Sequence, residues 1–293
     1  MGNIKDIQAG LLRELQQSPT KKRVAVMAPV CDKGYSTLHE RWIGSFSNTD
    51  IEAIELPVGT PYFENILEFV DGVLMPGGDS NIHPSRYADK YKREEYPGDT
   101  YDLERDEYAF KIIQRAYDKD IPILGVCRGM QEMIVAMGGA LEHLKTEEIN
   151  HAEGYDADVI NGSRCLKGMD KHVHHIALME GGVLSELFTG KSQLTVNSVH
   201  KEGITRAIWE VPEMKAMREK LKITAMAPDG VIEGISAKGK SCFMGLQAHF
   251  ELEGPLHDTV YDFFFKKIAE YNEQRIEAAM RGGTPSLNPE FAR

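Results

Sequence analysis

The stretch from Ile121 to Gly139 constrains the fold more than any other part of the chain. An apolar run ends at Cys127, which has Gly125 two residues before it and Gly129 two residues after it, and an apolar pattern with helical spacing begins at once. This order predicts a strand, a sharp turn and a helix, with glycines where the crowded backbone needs them. We therefore expect a cysteine held on an elbow at the start of a helix.

A cysteine in this position is suited to nucleophilic catalysis. The unpaired amides and the dipole of a helix N-terminus favour thiolate over thiol. The amide of Arg128, the next residue, points to where the oxyanion of a tetrahedral intermediate would form. The alternative is that Cys127 is one more apolar residue at a strand end, since free cysteines are commonly buried. The two flanking glycines and the switch from strand to helix favour the nucleophile.

Length and charge narrow the classes of protein that need to be considered. The 293 residues can bury a full core, and the net charge of -11 comes from 45 acidic and 34 basic residues without a basic stripe. We therefore expect neither nucleic acid nor a membrane as a partner. The four cysteines lie far apart, without metal-ligand or redox spacing, and the N-terminus lacks the apolar core of a signal peptide. These features predict a cytoplasmic protein.

The pattern along the chain predicts an α/β protein. Apolar strands alternate with helical segments in the first half, and crossover connections of this kind argue for a parallel sheet covered on both faces. We expect an N-terminal helical extension over 1–20, one main domain over 21–275 and a flexible tail over 276–293. The predicted strands cover 22–28, 51–57, 70–76, 121–126, 174–178, 195–200, a hairpin over 222–236, and 241–249; the main predicted helices cover 36–46, 101–119, 213–221 and 260–271.

A thiolate that attacks an amide needs a base, and the base needs an acceptor that fixes its tautomer. His249 and Glu251 offer both. Residues two apart in an extended segment face the same side, so the two side chains are expected to lie together at the end of the last strand. The Gly77-Gly78 turn follows a buried strand, where backbone can approach a ligand closely. In an open parallel sheet, the elbow, this turn and His249 would share the carboxyl edge.

These motifs, taken in order, resemble a known family. The sequences Gly-Val-Cys-Arg-Gly-Met-Gln, Pro-Gly-Gly-Asp, Asn-Ser-Val-His, Pro-Asp-Gly and Gln-Ala-His-Phe-Glu occur in the order found in class I glutamine amidotransferase-like hydrolases. The Arg-Gly after the cysteine is similar to the gamma-glutamyl-gamma-aminobutyrate hydrolase branch, peptidase C26. The resemblance spans about residues 22 to 270. It implies a flavodoxin-like three-layer αβα sandwich with a central, largely parallel sheet.

The resemblance also implies a role for each site residue. Cys127 would be the nucleophile, His249 the general base and acid, and Glu251 the residue that orients His249. The amides of Gly78 and Arg128 would form the oxyanion hole. The residues that would border the substrate are Gln131, Ser198 and His200.

Two departures from the family pattern flank the histidine. Ala248 stands where tryptophan is common, and Phe250 where proline is common. Loss of the proline is expected to loosen the geometry of His249 and Glu251, and loss of the tryptophan to reshape the pocket wall. The two departures therefore concern the substrate pocket, whereas the three residues that would carry the chemistry are all present.

The remaining histidines and the charged pair Arg105 and Asp106 are expected to have structural roles. His172, His174 and His175 form a cluster, but no carboxylate or cysteine completes a metal-ligand set near them in the sequence. We therefore expect no metal and no cofactor. Arg105 and Asp106 are expected on a solvated helix face, as charged pairs on helices usually are.

The first hypothesis for the function is an amidase that cleaves a gamma-glutamyl amide, a small-molecule substrate, through a thioester on Cys127. A second is the glutaminase subunit of a two-protein amidotransferase, and a third is a catalytically silent binding protein. No synthase segment is recognisable in the chain, which favours hydrolysis over ammonia delivery. The sequence leaves open the amine portion of the substrate and the oligomeric state, a homodimer included.

Overall fold

The computed structural model describes residues 14, 17–28, 39–61, 63–87, 91, 94–145, 148–152, 159–160, 163–164, 173–252 and 255–281. Most of the expected N-terminal extension, the end of the expected tail and His172 lie outside these residues. The strands are β1 Arg23–Ala28, β2 Glu52–Pro57, β3 Gly72–Met75, β4 Ile123–Val126, β5 Glu142–His143, β6 Val159–Ile160, β7 Ser163–Arg164, β8 Val173–Leu178, β9 Gln193–Asn197, β10 Glu202–Gly203, β11 Leu221–Met226, β12 Ile232–Ala237 and β13 Phe243–Leu246. The α-helices are α1 His39–Gly44, α2 Phe63–Leu67, α3 Leu103–Lys119, α4 Arg128–Ala136, α5 Val183–Leu187, α6 Arg206–Glu210, α7 Lys215–Lys220 and α8 Pro255–Met280.

Nine of these strands form one central sheet in the order β2-β1-β3-β4-β13-β12-β11-β8-β9. The first five are parallel to one another, whereas β12 is antiparallel to β13 and the pairs β12–β11, β11–β8 and β8–β9 are antiparallel as well. The prediction of a central, largely parallel sheet is confirmed. Because β3, β4 and β13 are adjacent and parallel, the segments that follow them emerge at one edge of the sheet.

Two hydrophobic cores cover the two faces of this sheet. One contains residues of α2, α3, α4, α6 and α7, and the other contains residues of α1, α5 and α8. The helices therefore form two layers with the sheet between them, which is the three-layer αβα arrangement. Strand β1 is buried along its whole length, as expected of a strand that is covered on both sides.

The register between β4 and β13 brings distant parts of the sequence together. Ile123 pairs with Phe243 and Val126 with Leu246. The amide of Cys127 then donates a hydrogen bond to the carbonyl of Leu246, 2.8 Å away. The elbow is thus fixed beside the chain that leads to His249.

Three of the predicted boundaries that differ from the structure bear on the site or on the tail. Strand β13 ends at Leu246, three residues before His249, and β9 ends at Asn197, so that His200 lies beyond the strand. The closing helix α8 continues to Met280, past the expected start of the tail. Alanine, glutamate and methionine near its end are good helix formers, which explains the extension. Among the described residues, none of the helices is both long and apolar enough to cross a membrane.

Candidate active site

The elbow at Cys127 has a strained backbone. Its φ of 51° and ψ of -110° lie outside the regions that non-glycine residues usually occupy, and α4 begins at the next residue. Such strain persists only where the surrounding structure enforces it, and it is concentrated at functional sites. A Cβ on Gly129 would lie 2.1 Å from the carbonyl oxygen of Met75, so only glycine lets the start of α4 pack against the end of β3. The predicted strand, turn and helix are confirmed.

The side chains of His249 and Glu251 meet as predicted, although not on a strand. Nδ1 of His249 lies 2.7 Å from Oε1 of Glu251 in the turn that follows β13, and Glu251 is fully buried. The side chain of Asn197 brackets the backbone of His249: its Oδ1 accepts from the His249 amide at 2.7 Å and its Nδ2 donates to the His249 carbonyl at 2.8 Å. Glu251 therefore fixes the imidazole, and Asn197 fixes the backbone that carries it.

Cys127 and His249 lie against the same glycine. A Cβ placed on Gly77 would be 3.5 Å from Cβ of Cys127 and 3.0 Å from Cε1 of His249. The elbow, the glycine turn and the histidine thus converge at the carboxyl edge of the sheet, as the sequence predicted.

The charge state of His249 follows from its surroundings. Burial on its own would lower the pKa of His249, but the negative charges of Glu251 and Cys127, together with hydrogen bonds to both, raise the pKa well above its usual value. The imidazolium is therefore the favoured form, and it holds a proton next to the sulfur. This arrangement can supply a proton to a leaving nitrogen.

The turn after β3 is oriented by one arginine. Nη2 of Arg105 donates to the carbonyl of Pro76 at 2.8 Å, and Nη1 donates to the carbonyl of Gly77 at 3.1 Å. In a planar trans peptide the C=O and N–H bonds point in opposite directions, so the Gly78 amide points away from Arg105. A Cβ on Gly78 would lie 2.2 Å from Nη1, which leaves no room for a side chain. This orientation favours the predicted role of the Gly78 amide.

Arg105 belongs to a buried group of four charges, and the prediction of a solvated helix face is wrong. Glu132 accepts from Nε of Arg105 at 2.8 Å and also from Arg128, and Asp106 accepts from Arg128 at 2.6 Å. All four side chains are at most 1% exposed. Burial raises the pKa of Asp106, although Arg128 opposes this shift. The helix face is buried because α3 packs against α4, where each charge finds an opposite partner.

The residues predicted to border the substrate are all buried. Gln131 donates through Nε2 to the carbonyl of Glu202 at 2.8 Å. The hydroxyl of Ser198 donates to the carbonyl of His151 at 3.0 Å, and Nδ1 of His200 lies 3.1 Å from the carbonyl of Glu202. Their side chains therefore tie the wall segments to each other, and a contact with substrate stays a prediction.

The phenylalanine after His249 is well packed. Phe250 is 1% exposed, and its ring lies 5.7 Å from that of Tyr261 on α8 in an edge-to-face arrangement. The 2.7 Å contact between His249 and Glu251 shows none of the loosening expected from the missing proline. An aromatic anchor on α8 thus holds the segment.

One group of side chains near the site could hold a metal ion. Ligand atoms of His151, His200 and Glu233 lie within 4.8 Å of one another, and all three residues are buried. Burial would raise the pKa of Glu233, but its contacts with His174 and His200 lower the pKa to about 2. The carboxylate near His174 is therefore supplied by Glu233 of β12, a distant part of the chain.

Several residues of this site were missed in the sequence, although some gave a signal. Asn197 is part of the Asn-Ser-Val-His motif, but its contact with His249 depends on pairing that the sequence does not display. Glu233 stands in an otherwise apolar strand, where a glutamate is rarely buried without a partner. Glu132 lies four residues after Arg128, which is the spacing of neighbours on a helix.

The fold is shared with glutamine amidotransferase-like proteins. Among solved structures, the glutaminase domain of Trypanosoma brucei CTPS with bound acivicin matches with a TM-score of 0.57 at 13% identity, covering 85% of this chain and 94% of that one. At this identity the likeness concerns the fold alone.

The sequence comparisons give the family. Residues 19–251 match the peptidase C26 family. The chain is 30% identical over 233 residues to the gamma-glutamyl-gamma-aminobutyrate hydrolase of Escherichia coli strain K12 and, at the same identity and length, to that of Shigella sonnei strain Ss046. In both cases the alignment covers 75% of this chain and 81% of the relative. The chain belongs to the peptidase C26 family, and it is a hydrolase that acts on an amide bond.

Proposed function

We propose that the protein hydrolyses a gamma-glutamyl amide by way of a thioester on Cys127. The observation that carries the proposal is the convergence of the strained Cys127 elbow with the bonded pair His249 and Glu251. The relatives named gamma-glutamyl-gamma-aminobutyrate hydrolase support a gamma-glutamyl substrate.

In the first half of the proposed reaction, the thiolate of Cys127 attacks the amide carbonyl. The C=O bond becomes an oxyanion, which the amides of Gly78 and Arg128 bind. The oxyanion then collapses, the carbon–nitrogen bond breaks, and the proton of His249 passes to the leaving amine. The glutamyl group is left as a thioester on the sulfur.

In the second half, water replaces the amine. His249 accepts a proton from the water as its oxygen attacks the thioester carbonyl, and the same amides bind the second oxyanion. The carbon–sulfur bond breaks, which releases glutamate and restores the thiolate beside the imidazolium. Glu251 keeps Nδ1 of His249 occupied throughout, so that the other nitrogen handles the proton in both halves.

The substrate side of the proposal uses the wall around the elbow. Gln131 lies one turn into α4, and Ser198 and His200 follow β9. We place the gamma-glutamyl group against this wall and the amine towards the segment with Ala248, where the family commonly has a larger side chain.

A panel of substrates tests the proposal. Glutamine, gamma-glutamyl-aminobutyrate and gamma-glutamyl-polyamines are incubated with the wild type, and released glutamate is measured. We expect the gamma-glutamyl amines to be cleaved, Cys127→Ala to lose at least a thousandfold in kcat/KM, and Cys242→Ala to retain wild-type rates. Cleavage of glutamine alone would support the glutaminase alternative. Undiminished activity in Cys127→Ala would refute the thioester.

A further inference from the structure

Four buried side chains outside the proposed catalytic trio point at one another. Oε1 of Glu233 lies 3.4 Å from Nδ1 of His151, 3.4 Å from Nε2 of His174 and 3.5 Å from Nε2 of His200. The rings of His174 and His200 each lie 4.8 Å from that of His151. The side chain of Glu233 is fully buried, and those of the three histidines are at most 8% exposed. These contacts connect four parts of the fold: β8, β12, the segment after β9 and the turn at His151.

On the side away from Glu233, the rings of His151 and His200 each contact an oxygen atom, and these contacts show which ring nitrogen carries the proton. Nε2 of His151 lies 2.8 Å from a carboxylate oxygen of Asp229, and Nδ1 of His200 lies 3.1 Å from the carbonyl oxygen of Glu202. Both oxygens only accept hydrogen bonds, so these two nitrogens carry the protons. In the neutral rings, Nδ1 of His151 and Nε2 of His200 then present lone pairs towards Glu233.

The facing atoms lack other partners. Nε2 of His174, Nε2 of His200 and both carboxylate oxygens of Glu233 are buried without a hydrogen bond among the described residues. Nδ1 of His151 has a competitor, because the Ser198 hydroxyl lies 3.2 Å away, but that hydroxyl has one proton and also faces the His151 carbonyl at 3.0 Å. Buried acceptors that converge in this way are unfavourable unless a positive charge lies between them.

The spacing fits a transition-metal ion. In a tetrahedral zinc site with ligand distances of roughly 2.0–2.1 Å, neighbouring ligand atoms are about 3.3 Å apart. Oε1 of Glu233 lies 3.4 Å from Nδ1 of His151 and 3.5 Å from Nε2 of His200, and the ligand atoms of all three residues lie within 4.8 Å of one another. Imidazoles with one carboxylate suit zinc and its neighbours, whereas magnesium and calcium prefer oxygen ligands. The carboxylate of Asp229 behind His151 is the outer-shell partner that metal-bound histidines usually have.

We propose that His151, His200 and Glu233 form a binding site for a divalent transition metal of the zinc type, with His174 beside the carboxylate. The metal holds the segment from Asn197 to His200 against β12. Gln247 links the same strand to the proposed catalytic histidine, since its amide donates to the carbonyl of Glu233 at 2.9 Å. The site is structural, because its ligands are buried and none of them belongs to the proposed catalytic trio.

The test is metal binding by the full chain without an affinity tag. Metal is removed with a chelator, Zn²⁺ is titrated by calorimetry, and Co²⁺ by visible absorption, which reports tetrahedral coordination. We expect one ion per chain, a rise in thermal stability on loading, and loss of binding in Glu233→Gln. The matched control is His175→Ala: His175 neighbours His174 on β8 but is exposed and contacts Thr195 at 3.0 Å.

Asp229→Asn supplies a graded variant that keeps all three ligands. We expect its affinity for Zn²⁺ to fall about 10- to 100-fold, as for other outer-shell carboxylates. If circular dichroism shows that Glu233→Gln does not fold, the result for Asp229→Asn takes its place in the test. The proposal is overturned if the wild type binds no Zn²⁺ equivalent, if folded Glu233→Gln or Asp229→Asn binds as tightly as the wild type, or if His175→Ala loses the ion. Hydrolysis by the metal-free protein is a separate measurement, so failure here leaves the proposed reaction intact.

Discussion

At the scale of single residues, the position of His249 depends on side chains that bind it from two sides. Glu251 holds the ring, and Asn197 holds the backbone of the same residue. Because His249 lies beyond the end of β13, its backbone is held by the Asn197 side chain. The geometry of the base is therefore set by these contacts and by the packing of Phe250.

Asn197→Ala should lower kcat without a matching rise in KM. The variant removes two hydrogen bonds of about 1 kcal/mol each, so we expect a loss of about tenfold to thirtyfold. Steady-state kinetics on the best gamma-glutamyl substrate measures both constants. Thr195→Ala, an exposed position two residues earlier on β9, should behave as the wild type. Equal kinetics for Asn197→Ala and Thr195→Ala would show that Asn197 does not position His249.

Glu251→Gln should move the alkaline limb of the kcat/KM profile to lower pH. Glu251 favours the imidazolium and so raises the pKa of His249, while burial lowers it. Without the carboxylate, burial remains, the pKa falls, and the protonated form required for activity is lost at lower pH. Asp262→Asn, an exposed charge change on α8, should leave the profile in place. An unchanged limb in Glu251→Gln would exclude His249 as the group that titrates.

At the scale of elements, α3 and α4 are joined by charges as well as by apolar packing. Arg105 and Asp106 on α3 face Arg128 and Glu132 on α4, and Arg105 also reaches the carbonyls of Pro76 and Gly77. Two positive and two negative groups balance inside the protein. The helix pair thereby holds the turn that presents the Gly78 amide.

Glu132→Gln should destabilise the protein by about 3 kcal/mol, because it leaves two buried arginines with one fewer anion. Urea denaturation followed by circular dichroism measures the free energy of unfolding. Glu107→Gln is the matched change on α3, where the exposed carboxylate contacts Lys111, and it should have little effect. Wild-type stability in Glu132→Gln would show that the four charges do not act as a unit.

At the scale of the whole molecule, Asp71 connects the last helix, α8, to the first strand, β1. Its carboxylate accepts from the backbone amide of Arg23 at 2.9 Å, from Asn272 at 3.1 Å and from Arg275 at 2.8 Å. The start of β1, the start of β3 and the last helix meet at this one fully buried group. These hydrogen bonds hold the C-terminal part of α8, which contains Asn272 and Arg275, against the sheet.

Asp71→Asn should lower the free energy of unfolding by about 2 kcal/mol, since hydrogen bonds to a charged group are the ones lost. Hydrogen exchange should rise in the last turns of α8, around Arg275. Asp258→Asn, whose side chain is 76% exposed near the start of the same helix, serves as the control. Unchanged exchange near Arg275 in Asp71→Asn would contradict the anchoring role.

The parts of the structure that the sequence predicted are those with a local cause. The elbow at Cys127 follows from an apolar run between glycines, and the order of strands follows from the alternation with helices. The burial of Arg105, the clamp by Asn197 and the contact of Glu233 with three histidines depend on segments far apart in the chain. No local pattern encodes such pairings. The sequence predicts a strand as far as His249 and not Leu246, because apolar residues recur up to Phe250.

The most direct test of the account is the site of labelling by an electrophilic glutamine analogue. Cys242 offers an internal comparison, because burial raises its pKa to about 12 and keeps it as the unreactive thiol. Peptide mass spectrometry should find one label per chain, on Cys127, suppressed by excess gamma-glutamyl substrate and absent from Cys127→Ala. Labelling of Cys242, or of Cys31 or Cys165 outside the described residues, with Cys127 unmodified, would contradict the central claim that Cys127 is the nucleophile.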